Sequence, residues 1–426
     1  MPQNYNLNRL FQTYSANVLS YNLGQLKSEV FSPLSESAIN YHVDKIIRLS
    51  KNSGRPYIVL FGAGDGRLAK ALIETLAGIN AEVENNQPAP TVILCELDPN
   101  RIREAISKKT LPPLNLNAPP AQTPSLNILV DTSARALLML LDACGINLEN
   151  SFFYLHPDLP APETNKLRAA MQLLQRSRVC SETTPASSLK PNAEAQQTSG
   201  KLSILAIFHP EETQIDEFCA QIPPQERELV IVWDSETKVY KEITCACQVI
   251  QKHRPLAGNF AKQRNYALSL CTAPWVLALD ADERLAPETW QQVFALTTQQ
   301  DISAAFLPRL TFYPNEAHFR VGFGLWPDPQ LRLFKQTPKT RFDRPVHEIL
   351  EGIEGQQVLL LHAPILHYSY TLKNRELLQE RLAVFNQAAG HNMHMLSQEY
   401  PFLPLAWHAE FQKISAQIQY IILPKD

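Results

Sequence analysis

AGNFAKQRNYALSLCTAPWVLALDADERL, residues 257–285, contains one apolar run at 273–279, bounded by polar residues and long enough for a single buried strand. The run ends in Asp280-Ala281-Asp282-Glu283. Alternate residues of a strand share a face, so this spacing predicts that Asp280 and Asp282 present their carboxylates together at the strand's carboxyl end. Two adjacent carboxylates repel, and a hard divalent cation, Mg²⁺ or Mn²⁺, relieves that repulsion while keeping positions open for water and substrate phosphates. The carboxyl end of a strand is also where open α/β sheets bind ligands. The competing reading is that the acids only serve the helix that follows, because Ala286-Pro287-Glu288-Thr289-Trp290 has the Pro and acid of a helix start.

The surroundings add a resemblance. Phe260-Ala261-Lys262-Gln263-Arg264-Asn265-Tyr266-Ala267-Leu268, followed by Trp275-Val276-Leu277-Ala278-Leu279-Asp280-Ala281-Asp282-Glu283-Arg284-Leu285, resembles the family 2 glycosyltransferases, in particular the bacterial lipopolysaccharide-core glucosyltransferase type. Asp328-Pro329-Gln330-Leu331-Arg332-Leu333-Phe334, Val346-His347-Glu348 and Leu366-His367-Tyr368-Ser369-Tyr370 resemble that group's later segments, in the same order. Several ordered motifs are far more specific than any one of them.

The resemblance implies a GT-A fold over residues 201–390, a nucleotide-sugar donor, a divalent metal and inversion at the anomeric carbon. It implies Asp282 as direct metal ligand and Asp280 as holder of the ribose or the metal. Asp234 would contact the nucleotide base, although this chain reads Trp-Asp-Ser-Glu there in place of Asp-Gly-Ser. Arg264 would lie near the diphosphate or support the donor pocket, and Asp328 and Glu348 are the two candidates for the catalytic base. His347 would complete the metal shell or orient Glu348, while His367, beside an apolar strand, reads as a hydrogen-bonded structural histidine. Phe312, Phe319, Phe323 and Trp326 read as core before they read as an acceptor surface.

Composition is that of an ordinary globular chain: 426 residues, 45% apolar and 19% charged, enough for two domains or more. With 39 basic and 42 acidic side chains, nothing marks a nucleic-acid or anionic-membrane partner. The first residues lack the pattern of a signal peptide, and no apolar run reaches a membrane span. The seven scattered cysteines, with Cys245 and Cys247 as the one close pair, point to reduced thiols in a cytoplasm and make a poor zinc motif.

A second domain is expected upstream. The strand Tyr57-Ile58-Val59-Leu60-Phe61 runs into Gly62-Ala63-Gly64-Asp65-Gly66-Arg67, a helix follows, and a second strand at 91–95 ends in Glu96-Leu97-Asp98-Pro99. This is the layout of a Rossmann-type nucleotide site, with Gly62, Gly64 and Gly66 admitting a ligand and Glu96 placed for ribose hydroxyls. The Gly-X-Gly-X-Gly spacing favours S-adenosylmethionine or a nucleotide over NAD. This half resembles class I methyltransferases. It is more similar to the Rossmann domain of motility-accessory-factor-like proteins, through its Phe-Gly turn, Glu-Leu-Asp-Pro and the later His156-Pro157. The latter family implies a link to protein or surface-glycan glycosylation.

The expected fold class is therefore α/β: two Rossmann-like α/β domains joined by a flexible linker, the second of GT-A type, with a helical C-terminal extension. The expected divisions are a helical segment at 1–50, a Rossmann-like domain at 51–178, a linker at 179–200, the GT-A domain at 201–390 and the extension at 391–426. Ile39, Val43, Ile46 and Ile47 predict a helix face that packs on the first domain, and 111–124 predicts an exposed loop. Residues 372–390 read as a helix, and Trp407, Phe411, Ile414, Ile418 and Ile421 predict one face of a last helix. The functional expectation is a cytoplasmic, bacterial-type, metal-dependent hexosyltransferase. Its donor would be a UDP-hexose, and its acceptor a surface glycan, a lipid-linked sugar or a protein. The competing expectations are a methyltransferase that uses S-adenosylmethionine and a non-catalytic glycan- or partner-binding scaffold.

Overall fold

The computed structural model describes residues 7–21, 33–82, 90–114, 126–176, 178–182, 202–212, 214–224, 228–373, 376, 378–380, 383, 399–412 and 418–424. The chain divides into two compact units. In the first, four parallel strands, β1 (Tyr57–Phe61), β2 (Thr91–Glu96), β3 (Leu126–Val130) and β4 (Ser151–Leu155), lie in the order β3-β2-β1-β4. Helices α1 (Leu7–Ser20), α2 (Glu36–Ser53), α3 (Arg67–Glu82), α4 (Pro99–Ser107), α5 (Ala134–Ala143) and α6 (Ala161–Arg176) complete it. β1, β2 and β3 are apolar runs buried on both faces, as parallel sheets favour, whereas β4 is only partly buried. α2 starts on Ser35, whose side chain accepts the N–H of Ala38, and stops at Gly54 in the left-handed region. It buries Ile39, Val43, Ile46 and Ile47, the face its spacing predicts.

The second unit is built on an eleven-stranded sheet. Its strands are β5 (Arg178–Glu182), β6 (Leu202–Phe208), β7 (Glu228–Trp233), β8 (Gln248–His253), β9 (Trp275–Asp280), β10 (Glu283–Leu285), β11 (Ile302–Thr311), β13 (Asp328–Lys335), β16 (Gln356–Leu360), β17 (Ile365–His367) and β19 (Ile418–Ile422). Short strands β12 (His318–Arg320), β14 (Arg341–Asp343), β15 (Ile349–Glu351) and β18 (Phe402–Pro404) lie outside this sheet. β8, β7, β6 and β9 are parallel neighbours, and β13 adds to β9 antiparallel. The unit is thus mixed α/β, as expected for its type. Helices α7 (Ile215–Ala220), α8 (Phe260–Leu268), α9 (Pro287–Thr297) and α10 (Ser369–Leu372) accompany the sheet. In β9, Trp275 to Leu279 are all buried, each large side chain contributing about 1.5–3 kcal/mol of transfer free energy.

Three sequence expectations change. Residues 178–182, assigned mostly to the linker, form β5, which pairs with β19 and gives that edge strand a backbone partner. The rest of the expected linker, 183–200, lies outside the described residues, as do 115–124 of the expected loop and most of 372–390. The last helix, α11 (Leu405–Gln412), stops before the expected Ile418 and Ile421, which belong to strand β19. A β-branched run beside an open strand edge gains ladder hydrogen bonds that a helix would forgo. The units are also not contiguous in sequence: residues 320–327 and 400–414 belong to the first. There Trp326, fully buried, packs against Tyr14, Trp407 and His408, and its carbonyl accepts a hydrogen bond from Tyr14. Phe312 and Phe319 are buried as well, so these aromatics are core.

Candidate active site

The parallel register of β6, β7 and β9 sets one edge of the second unit's sheet. Phe208 stands opposite Trp233 and Ile207 opposite Asp280, so Asp234 and Asp280 both fall at the carboxyl end of the strands. Asp234 holds this edge together: its N–H donates to the Phe208 carbonyl, and its Oδ1 accepts the N–H of Leu256, both at 2.7 Å.

The strand ends at Asp280, and Ala281 and Asp282 form a turn. The two acids therefore do not share a strand face as the alternation predicts; the turn gives each its own partners. Asp280 Oδ1 accepts from Arg264 Nη2 at 2.7 Å, and Oδ2 from Arg332 Nη2 at 2.6 Å. Asp282 Oδ2 pairs with Lys373, while Oδ1 lies 3.6 Å from His367 Nε2. The site thus supplies its own cations to carboxylates that were expected to be bare.

Arg264 comes from α8, which is capped by the Asn259 side chain accepting the Lys262 N–H. Its guanidinium is buried, stacks on Phe342 at 5.7 Å, and bridges Asp280 to Glu348. Burying a guanidinium is costly without paired acids, and here it has two. Arg332 likewise bridges Asp280 to Glu283, at 2.6 and 2.8 Å. Glu283 is fully buried, and its other oxygen accepts the N–H of Asp280. The register of β11 and β13 sets Arg309 opposite Asp328, and the two are ion-paired at 2.7 Å. Glu283, Arg309, Lys373 and the role of Arg332 were not read from the sequence. The signal available for two of them was a charged residue inside an otherwise apolar strand.

His367 is placed by the antiparallel pairing of β10 with β17, which sets it opposite Glu283 and so beside Asp282. Thr311 Oγ1 lies 2.9 Å from its Nδ1, which orients Nε2 toward Asp282. His347, the expected metal-shell residue, is exposed, with a left-handed φ of 53°. Burial would raise the Asp280 carboxyl, but Arg332 and Arg264 outweigh it and hold Asp280 well below the usual range. Burial is likewise outweighed at Asp282, by His367 and then Lys373, and this acid too is held far down. Both carboxylates are charged at any physiological pH.

The implied divalent ion can be tested against this geometry. Asp280 is unsuited, since both of its oxygens hold guanidinium groups. Asp282 Oδ1 and His367 Nε2, 3.6 Å apart, lie within reach of one ion with bond lengths of about 2.1 Å. Thr311 on the far ring nitrogen is the kind of second partner that fixes a metal-binding histidine. Among the described residues no larger cluster of His, Cys, Asp or Glu could hold a metal. Two protein ligands suffice where substrate phosphates and water supply the rest. Asp282 and His367 fit the group.

The two base candidates differ. Asp328 has both oxygens occupied, Oδ2 by Arg309 and Oδ1 by Gln330 at 2.7 Å. The only side-chain hydrogen bond of Glu348 among the described residues is the one its Oε1 accepts from Arg264.

In the first unit, Gly62, Gly64 and Gly66 have φ of 93°, 56° and 87°, conformations that favour glycine. A Cβ on Gly64 would stand 2.5 Å from His156 Nε2, so the imidazole lies directly over the turn. Burial pushes His156 down to about 4. Glu96 is buried, and its carboxylate accepts the N–H groups of Ala63, Leu97 and Asp98 at 2.7–2.9 Å. The acid expected to face ribose is instead used to tie the glycine turn to β2. These residues do not fit a ribose-bearing cofactor, and no step is assigned to one.

The carboxyl edge of the sheet thus gathers an Asp-Ala-Asp-Glu turn whose acids are paired with Arg264, Arg332, Lys373 and His367. Residues 204–382 match the family described as glycosyl transferase family 2. A curated relative, the TPR repeat-containing protein Synpcc7942_0270 of Synechococcus elongatus, is 27% identical over 191 residues, which is 42% of this chain and 44% of that protein. The chain thus spans less than half the length of that relative. Among solved structures, S. aureus TarS matches with 20% identity and a TM-score of 0.22, covering 27% of this chain and 22% of that one. TarS 1–349 in complex with UDP-GlcNAc matches with 21% identity and a TM-score of 0.22, over 27% and 36% of the two chains. No helix among the described residues is long and apolar enough to cross a membrane.

Proposed function

We propose that the second unit transfers a hexose, with inversion, from a nucleoside-diphosphate sugar to a hydroxyl of a glycan, lipid-linked or protein acceptor. The observation that carries this reading is the Asp282–His367 pair beside the Arg264–Asp280–Arg332 network, within a family 2 domain. Asp234 and Asp280 line the donor's nucleotide end, with Asp280 acting through the two arginines it orients. Asp282 and His367 would hold a divalent ion, which would supply charge neutralisation on the diphosphate. An imidazole nitrogen suits a transition ion, so Mn²⁺ is better matched than Mg²⁺. Glu348 is the base, because one of its oxygens is uncommitted while both of Asp328's are engaged. As the acceptor oxygen bonds to the anomeric carbon, the bond to the diphosphate oxygen breaks. The hydroxyl proton passes to Glu348, and the electron pair leaves on the diphosphate. Arg264 and Lys373 add fixed positive charge where that pair arrives.

The first unit is read as a scaffold whose glycine turn is closed by His156, not as a methyltransferase. Glu348→Gln is expected to retain nucleotide binding in calorimetric titration with Mn²⁺ while transfer falls about 100-fold or more. Asp328→Asn should act mainly on stability, through Arg309. If Asp328→Asn alone stops transfer with the fold intact, the base assignment is reversed.

A further inference from the structure

Cys219, Cys245 and Cys247 converge in the second unit. Cys219 is buried on α7, and the other two are half-buried just before β8. On a straight strand, side chains two residues apart are separated by about 6.6 Å. Here a bend at Ala246 and Cys247 brings the Cys245 and Cys247 sulfurs to 3.6 Å. A disulfide closes at about 2.05 Å, so roughly 1.5 Å of approach remains. Cys245 Sγ also lies 4.0 Å from the Cys219 carbonyl. The backbone N–H groups of Ala246 and Cys247 face the same sulfur. Hydrogen bonds from the Cys219 thiol, then the Cys247 thiol and these amides, pull Cys245 down toward the thiolate. No cluster of three or more metal-binding side chains is found among the described residues, so the three thiols lack the geometry of a zinc or copper site.

We propose that Cys245 and Cys247 are an oxidisable dithiol, which closes to an intramolecular disulfide by exchange with a low-molecular-weight disulfide. The Cys245 thiolate attacks one sulfur of the small disulfide, forming a mixed disulfide and releasing one small thiolate. Cys247, losing its proton to solvent, then attacks the Cys245 sulfur and displaces the second small thiolate. Two protein thiols are oxidised and one small disulfide is reduced to two thiols. The closed pair ties down the far end of the 234–247 connection, whose near end carries Asp234. This goes beyond the transferase reading and does not depend on it.

The test uses the full chain, incubated with oxidised glutathione, blocked with iodoacetamide and digested with trypsin. Residues 242–252 form one peptide that holds both cysteines. The expected product is that peptide two hydrogens lighter than its reduced form, unalkylated, and restored by dithiothreitol. Cys247→Ser should trap Cys245 as a stable glutathione adduct, and Cys245→Ser should leave Cys247 about tenfold slower to react. Cys219→Ser should still form the disulfide. A wild-type peptide that emerges doubly alkylated or doubly glutathionylated overturns the proposal, as does a peptide cross-linked to Cys219.

Discussion

The two units bury acids in opposite ways. In the first, Glu96 and Asp131 are enclosed with hydrogen-bond donors but no cation, and burial raises them to about 7 and about 6. In the second, Asp280 and Asp282 are also enclosed, but each faces two cationic or imidazole groups and is held far below the usual range. Burial alone favours the neutral acid, whereas burial beside a guanidinium or ammonium favours the carboxylate. One arrangement suits a scaffold whose acids join backbone segments. The other fixes negative charge beside fixed positive charge, which is what the proposed function requires for an ion and a diphosphate. The pH consequences have opposite sign. Glu96 and Asp131 contribute stability that is fully present below about pH 4 and lost as pH rises through 6–7. Asp280 and Asp282 contribute stability that is present above about pH 4 and lost only as pH falls toward their depressed values.

The largest expected effect lies at Asp282 and His367, the pair proposed to hold the ion. Asp282→Asn should lower transfer about 100-fold or more and remove the Mn²⁺ dependence of nucleotide binding, measured by initial rates and calorimetry. Unchanged turnover would break the distinction between a working acid cluster and a structural one. Next comes Arg332→Leu, which leaves Glu283 buried with Arg309 as its remaining cation, at 3.6 Å. A loss of about 3–5 kcal/mol in denaturant unfolding is expected, because an uncompensated buried charge is costly. A smaller effect of the opposite sign is expected in the first unit. Asp131→Asn should stabilise it by about 1–2 kcal/mol at pH 7 and flatten its stability between about pH 4 and 6. A wild-type-like pH profile would show that Tyr14 and the loop amides already compensate the buried charge. The smallest belongs to the exposed pair Lys339–Glu354, 2.6 Å apart. Lys339→Ala should leave the melting temperature unchanged, since solvent screens such a pair.

Much of this was legible in the chain itself. The apolar run before Asp280, the glycine-rich turn after Phe61 and the apolar face of α2 all became the elements their patterns predict, because each pattern is a local statement about burial. Reading failed where a local pattern competed with a distant partner. Ile418 and Ile421 lie at helical spacing from Trp407, yet the open edge of β16 draws 418–422 into a strand. His367, read from its apolar strand as a hydrogen-bonded structural histidine, does pair with Thr311, but its neighbour Asp282 comes from another strand end, and Glu96 serves a turn more than thirty residues upstream.

What the residues determined by themselves is the class of chemistry: an acidic turn after a buried strand, inside an ordered set of motifs. Which carboxylate does what was decided only by the tertiary structure. A charged side chain's role depends on its neighbours within a few ångströms; strand register brings Arg332 and His367 to the acids, the helix at 260–268 brings Arg264, and Lys373 arrives from 91 residues away. Two acids two residues apart in sequence are thereby given different partners, one a pair of arginines, the other a lysine and a histidine. Coulomb interaction in a poorly solvated site is strong enough for those partners to separate their functions.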